Sequence, residues 1–528
     1  MWPKKLKAST AALVAGTVTV LTLSACSDED TGGGGGGGPA NGSSAVPTPT
    51  APARTGPAPA AIPSVRDWQP VRGPGWEPSK HTRVVADPEG PLAGEAKLLA
   101  RELKVPFSKG PARTADVELV KDEDAGTGRE GYELRSRKGK VRITASADAG
   151  VFYGTRTLLQ SVRARGGVAD GVVRDEPDRP QRGFMLDIAR KHFSADWIED
   201  RIREMGDLKL NQLQLHISDD QAFRLESTSH PEVVSRPRLT KEQMRRIVKL
   251  AESRHITVIP EIDSPGHLGA VIDAHPELQL KDESGSPTRG AVDIADPKAA
   301  KIIDDLLREY ADLFPGKYWH LGGDEYLALT KRDPEASYPK LASEAREKYG
   351  RDAGVRDLAA AWLNDRAETV REEGRTPQVW NDGVHPGGAV PQKKNRQITY
   401  WTGKEIGERD PVEYLKEGWK LINFNDEYLY YVLGQPNDFT YPTGRRIYEQ
   451  WTPAVLRGTK PVPKSLSGPE HVPGGRFAVW CDLADAQTPA QVAAGIRMPL
   501  RATAQKLWNP SEPALSWEDF QKLGARTA

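Results

Sequence analysis

His320-Leu321-Gly322-Gly323-Asp324-Glu325-Tyr326 is the stretch from which the fold can be read. It follows Lys317-Tyr318-Trp319, and Tyr318 to Leu321 has the apolar character of a short buried strand. Two glycines stand directly before two adjacent carboxylates. Glycine at such a place marks a bulge or a close approach by another backbone or a ligand. A carboxylate pair there suits acid–base chemistry, which needs one group protonated and another ionised. The same four residues also fit an ordinary surface turn, so the flanking chain has to decide.

Outward from this stretch, seven further short apolar runs occur in series: Phe184–Ile188, Leu213–Ile217, Thr257–Ile262, Gln378–Trp380, Ile398–Trp401, Leu421–Phe424 and Phe477–Trp480. Helical spacing separates most of them, at Ala195–Leu208, Thr240–Ser253, Lys298–Leu313 and Val355–Glu373, and follows the last at Pro489–Lys506. The Gly-, Pro- and Lys-rich gap from Asn381 to Gln397 predicts no helix. Eight strands alternating with helices predict an α/β protein, a (β/α)8 TIM barrel over 178–528. Each run ends in polar or aromatic residues: Asp187-Ile188-Ala189-Arg190, His216-Ile217-Ser218-Asp219-Asp220, Glu261-Ile262-Asp263, Trp380-Asn381-Asp382, Trp401, Asn423-Phe424-Asn425 and Trp480-Cys481-Asp482. Barrel active sites lie at the C-terminal ends of the strands. Some of these carboxylates cap the following helices, but capping does not account for Trp at three ends.

A small α+β domain is expected over 64–177. Val117–Val120, Tyr132–Ser136 and Val141–Ala145 read as strands, Leu92–Leu103 and Gly150–Ala164 as helices. No chemistry is evident in it. Residues 26–63 read as a Gly-, Pro- and Ala-rich linker that cannot bury a core. Before it come three lysines within Met1–Lys7, an apolar run Ala8–Leu23 and Leu23-Ser24-Ala25-Cys26. This resembles a bacterial lipoprotein signal over 1–25 with lipidation at Cys26. The expected location is the extracellular face of the bacterial membrane, held by a lipid anchor alone. The second cysteine, Cys481, leaves no basis for a disulfide framework. Lys+Arg and Asp+Glu both number 73, which gives no electrostatic case for nucleic acid. Ten of the thirteen Trp lie beyond Asp178, where flat apolar faces can stack on sugar rings or fill a core.

From about Asp116 onward the chain resembles a family 20 glycoside hydrolase, a β-N-acetylhexosaminidase. The resemblance rests on Gly150-Val151-Phe152-Tyr153-Gly154 with Thr157-Leu158-Leu159-Gln160, on Arg182-Gly183-Phe184-Met185-Leu186-Asp187, on Pro260-Glu261-Ile262-Asp263-Ser264-Pro265-Gly266-His267, and on His320 to Glu325. It implies a retaining, exo-acting reaction on terminal GlcNAc or GalNAc, in which the substrate's 2-acetamido oxygen is the nucleophile. It implies Glu325 as general acid and base, with a pKa expected to be raised by Asp324. Asp324 would orient the acetamido N–H, and Tyr428 would hold the acetamido oxygen. Arg182 would bind sugar hydroxyls. Trp380, Trp401 and Trp480 would wall the pocket, with Trp451 as a weaker candidate and Asp482 at a sugar hydroxyl. Asp219 and His267 would support the acid, and Asp263 would stand behind them. Metal ligation by His216, Asp219, Asp263 and His267 is chemically conceivable, but the resemblance implies neither a catalytic metal nor a cofactor. The implied partners are oligosaccharides or glycoconjugates that contain N-acetylhexosamine. Two departures stand out. Tyr430 replaces an Asp that many members carry, and Asp482 replaces a Glu. Tyr428-Leu429-Tyr430 is similar to the branch that contains biofilm-polysaccharide hexosaminidases and lacto-N-biosidases, so disaccharide release is the alternative activity. A catalytically silent sugar-binding lipoprotein is the alternative of another class, and the intact Asp324 and Glu325 speak against it.

Overall fold

The computed structural model describes residues 54–401 and 409–528. The expected signal segment, Cys26 and most of the linker lie outside the described residues.

The first domain is a seven-stranded sheet. Its order is Asp67–Pro70, Gly171–Asp175, Tyr132–Arg137, Lys140–Ala145, Val117–Lys121, Val84–Val85 and Phe107–Ser108. Buried and open positions alternate along Tyr132–Arg137, as expected for a sheet with one covered face. Helices Ala93–Leu103 and Asp148–Arg165 cover that face. The second helix is buried from Gly150 to Ser161, because it packs against the sheet and also against barrel helix Ala195–Asp207 and the C-terminal helix Trp517–Thr527. The linker prediction ends too late. Ala60, Ala61 and Ile62 are buried. The Ile62 backbone exchanges two 2.9 Å hydrogen bonds with the Gln160 side-chain amide. An Ala- and Pro-rich segment cannot form a core of its own, but it folds where a neighbour satisfies its backbone.

All eight predicted barrel strands are present: β1 Gln181–Asp187, β2 Gln212–His216, β3 Thr257–Glu261, β4 Tyr318–His320, β5 Thr376–Trp380, β6 Gln397–Tyr400, β7 Leu421–Asn423 and β8 Gly474–Trp480. Every neighbouring pair is parallel, and β8 closes on β1 with Gln181 opposite Gly474. An extra short strand, Tyr430–Val432, runs parallel to the end of β8, pairing Tyr430 with Ala478. A strand of three residues is too short to carry a periodic signal. Helix starts follow the local chemistry: Ser194, Thr240, Asp296 and Thr488 each cap the helix that follows by accepting a backbone N–H.

The first domain sits at the N-terminal end of the barrel. Arg182, the second residue of β1, is buried and paired to Glu130 of the first domain at 2.8 Å. Its guanidinium also donates to the carbonyls of Lys209 and Arg179. Lys209, just before β2, reaches Asp175 at 3.3 Å and lies 4.3 Å over Trp508. Asp175 also accepts from the Tyr132 hydroxyl and the Trp508 indole. Burial lowers the Lys209 pKa to about 8, against the pull of Asp175. This corrects the sequence reading of Arg182: it joins the two domains at the end of the barrel away from the strand C-termini and meets no sugar there.

Candidate active site

After β4 the chain turns sharply. Gly322, Gly323 and Glu325 all have positive φ, at 68°, 97° and 46°. A Cβ on Gly322 would lie 1.7 Å from Asp263 Oδ1, so only glycine fits. The Gly323 N–H donates to Asp263 Oδ1 at 2.9 Å, and the Glu325 N–H donates to Asp382 Oδ2 at 2.8 Å. These two bonds from the ends of β3 and β5 turn both carboxylates toward one mouth. His267, also at positive φ (54°), stands between them. Its Nε2 lies 3.5 Å from Asp324 and 3.4 Å from Glu325, and its Nδ1 lies 3.3 Å from Asp219.

The electrostatics differ from the sequence expectation. Glu325 has a lowered pKa, first because His267 hydrogen-bonds it and further because His267 and Arg190 are positive, which together outweigh its desolvation. Burial pushes His267 down, but Asp219 and Asp324 raise its pKa well above the ordinary histidine value. In the free protein the proton therefore rests on His267, one hydrogen bond from an ionised Glu325. Raised carboxyl pKa values belong to Asp263 and Asp324, and to Asp482 in the cavity wall, with burial the leading cause in each. Asp263 Oδ2 and Asp324 Oδ1 are buried without a donor from the surrounding protein, and a proton shared between the two carboxyls raises the Asp263 pKa and lowers that of Asp324. Asp263 is the deeper of the two and Asp324 faces His267, so Asp263 holds the proton and Asp324 the charge. Asp263, His267 and Asp324 are also donors a cation could use, but the proton chain accounts for their arrangement.

Arg190, beyond the end of β1, lines the cavity where Arg182 had been expected. Asp187 accepts from its backbone N–H and its guanidinium, Asp219 accepts a second guanidinium contact at 2.8 Å, and the Trp480 ring lies 5.5 Å beneath it. Its pKa is raised because Asp187, Asp219 and Asp482 outweigh its burial. The cavity measures about 470 Å³, within the roughly 300–1,000 Å³ of small-molecule sites. Trp380, Trp401, Trp480 and Asp482 line it as expected, and so does Tyr430. Trp401 stacks on Tyr430 with centroids 6.2 Å apart and planes 8° from parallel, and its indole donates to Asp382 at 3.0 Å. Trp380 is fixed from below by a 2.7 Å bond to Glu261. Glu261 also meets His216 and His320, so a buried polar layer supports the floor.

Two more expectations are corrected. Tyr428 does not line the cavity; it is buried under the Arg446 guanidinium, 4.5 Å from its ring. The short helix Asp426–Leu429 turns it away, and the strand that follows delivers Tyr430 instead. Trp451 is wholly buried and donates to the Val455 carbonyl, so it is core. Arg190, Asp382 and Glu261 had stood in the sequence at strand ends without a role. Their position at the C-terminal ends was the available signal.

Such a carboxylate pair and aromatic pocket at the C-terminal mouth of a TIM barrel define a glycoside hydrolase. Residues 180–511 match the glycosyl hydrolase family 20 catalytic domain and residues 58–176 match domain 2 of that family; the chain belongs to this family. It is 30% identical over 472 residues to a lacto-N-biosidase of Bifidobacterium bifidum, covering 88% of this chain and 41% of that protein. It is 30% identical over 352 residues to a β-hexosaminidase of Porphyromonas gingivalis, covering 59% and 44%. The chain thus spans less than half the length of these two relatives. A Streptomyces plicatus β-hexosaminidase variant, solved with its product GlcNAc, superposes with a TM-score of 0.70 at 25% identity, covering 90% of this chain and 95% of that one.

Proposed function

We propose that the protein is a retaining exo-β-N-acetylhexosaminidase that releases terminal GlcNAc or GalNAc with help from the substrate's own acetamido group. The observation that carries this reading is the division of labour between Asp324 and Glu325. Asp324, charged and backed by protonated Asp263, suits an acetamido N–H that gains positive charge as its oxygen attacks the anomeric carbon. Tyr430 is the hydroxyl at the aromatic wall that can fix the acetamido oxygen. Glu325, 44% exposed at the cavity rim, reaches the leaving oxygen, with His267 as its proton reserve. A sugar that excludes water from this pair would favour the neutral arrangement, with the proton on Glu325. Arg190 and Asp482 are placed for ring hydroxyls, and Trp380, Trp401 and Trp480 for the acetamido methyl and the sugar face.

Disaccharide release is the second reading. It is favoured by Tyr430 and Asp482 both lying in the cavity, which Asn437 and Phe439 also line. Parallel assays of aryl GlcNAc, aryl GalNAc and aryl lacto-N-bioside separate the two. The leading reading expects kcat/KM on the monosaccharides to exceed that on the bioside. Turnover of the bioside alone would reverse the order.

A further inference from the structure

Apart from the residues that line the cavity, two histidines and a carboxylate meet between the connections that follow β2 and β3. Glu232 Oε1 lies 2.9 Å from His230 Nδ1 and 3.1 Å from His275 Nε2. The far nitrogens also face carboxylates: His230 Nε2 is 3.1 Å from Asp305 Oδ2, and His275 Nδ1 is 3.6 Å from Glu277 Oε1. Each imidazole therefore stands between two carboxylates. A neutral imidazole carries one N–H and one lone pair, and ionised carboxylates only accept. With neutral rings, one face of each histidine must set a lone pair against an anion. A cation in the centre removes that conflict. Both rings then turn their lone pairs inward; His230 donates outward to Asp305, as metal-binding histidines do to the carboxylates that fix them, and the far N–H of His275 faces Glu277.

We propose that His230 Nδ1, His275 Nε2 and Glu232 Oε1 form a zinc site, with solvent completing the coordination. Two imidazoles and one carboxylate suit Zn²⁺ better than Ca²⁺ or Mg²⁺, which take oxygen ligands. Tetrahedral bonds of ~2.0–2.1 Å set neighbouring ligand atoms about 3.3 Å apart. The two N···O distances are within a few tenths of an ångström of that, and all three ligand atoms already lie within 4.8 Å of one another. His230 and Glu232 lie in the connection that follows β2, which also carries Asp219, Asp220 and Gln221. His275 lies in the connection after β3, which carries His267 and Arg289. The inner parts of these connections already meet where Asp220 accepts from the Gly269 N–H and from Arg289. A metal at His230, Glu232 and His275 ties their outer parts together, so its role is to hold the two connections in register and not to take part in the reaction.

Calorimetric titration of Zn²⁺ into the chelator-stripped full chain is the test. One saturable site is expected, with no heat from Ca²⁺. The His230→Gln/His275→Gln double variant should lose at least tenfold in affinity. Asp305→Asn, which keeps every ligand and gives a second reading should the double variant misfold, should lose roughly 10- to 100-fold. The metal-free kcat should not change in either variant. No saturable Zn²⁺ heat in the parent would overturn the proposal. Affinity equal to the parent's in the variants would also overturn it, because it would place the ion elsewhere, for example at Asp263, His267 and Asp324.

Discussion

At the scale of the residue, Glu325 and His267 show what the site costs the fold. Both hold positive φ, which costs on the order of 1–3 kcal/mol each for residues with a side chain. The bonds from Asp382 to the Glu325 N–H and from Asp219 to the His267 ring hold them in place. Glu325→Gln should lose roughly 10²–10⁴-fold in kcat on substrates with poor leaving groups, and much less on activated aryl glycosides. Equal losses on both would take the general-acid role from Glu325. The pH profile follows from the shifts. Glu325 titrates below its ordinary value and His267 above, so the ionised carboxylate and protonated imidazole coexist from below pH 4.5 to above pH 6.5. The expected kcat/KM profile has its alkaline limb above pH 6.5, and His267→Gln should abolish that limb; a limb that survives the substitution belongs to another group. The same raised pKa stabilises the fold below the unfolded value of histidine, and this contribution is lost as pH rises through the folded one.

At the scale of the element, β1 separates two arginines with opposite jobs. Arg182 opens the strand and faces the first domain; Arg190 follows its end and faces the cavity. Strand direction alone distinguishes them, because barrel chemistry gathers at C-terminal ends. Arg182→Met leaves the half-buried Glu130 with Asn211 and Tyr153 as its hydrogen-bond partners. It should cost roughly 3–5 kcal/mol of stability in denaturant unfolding and leave KM unchanged. Arg190→Met should instead lower kcat/KM by roughly ten- to a hundredfold, the worth of a charge-assisted hydrogen bond of about 1.5–3 kcal/mol. A matching KM defect in both variants would contradict this separation. The Tyr428 and Tyr430 pair teaches the same lesson. Two tyrosines two residues apart look interchangeable as letters. The helical turn Asp426–Leu429 buries one, and the extended step after it presents the other.

At the scale of the whole molecule, the barrel was readable because its signals are local and repeated. Eight apolar runs, the helical spacing between them and the polar residues at each run's end are properties of neighbours in sequence. The Gly-Gly-Asp-Glu turn was readable for the same reason: Gly322 and Gly323 announce a backbone that no other residue adopts at that place. What the sequence by itself determined is therefore the strand count, the end of the barrel that carries chemistry, and the two carboxylates at its centre. Tertiary structure decided the rest. It put the proton on His267 and Asp263, because a pKa is set by charges that arrive from other strands. It turned Arg190 and Tyr430 into the cavity, in place of Arg182 and Tyr428, because direction is fixed by where each turn ends. It folded Ala60–Ile62 onto Gln160, 98 residues from Ile62, because a weak local sequence takes its conformation from the surface that satisfies it. It also brought His230, Glu232 and His275 together from two separate connections, a meeting that no spacing in the chain could have announced.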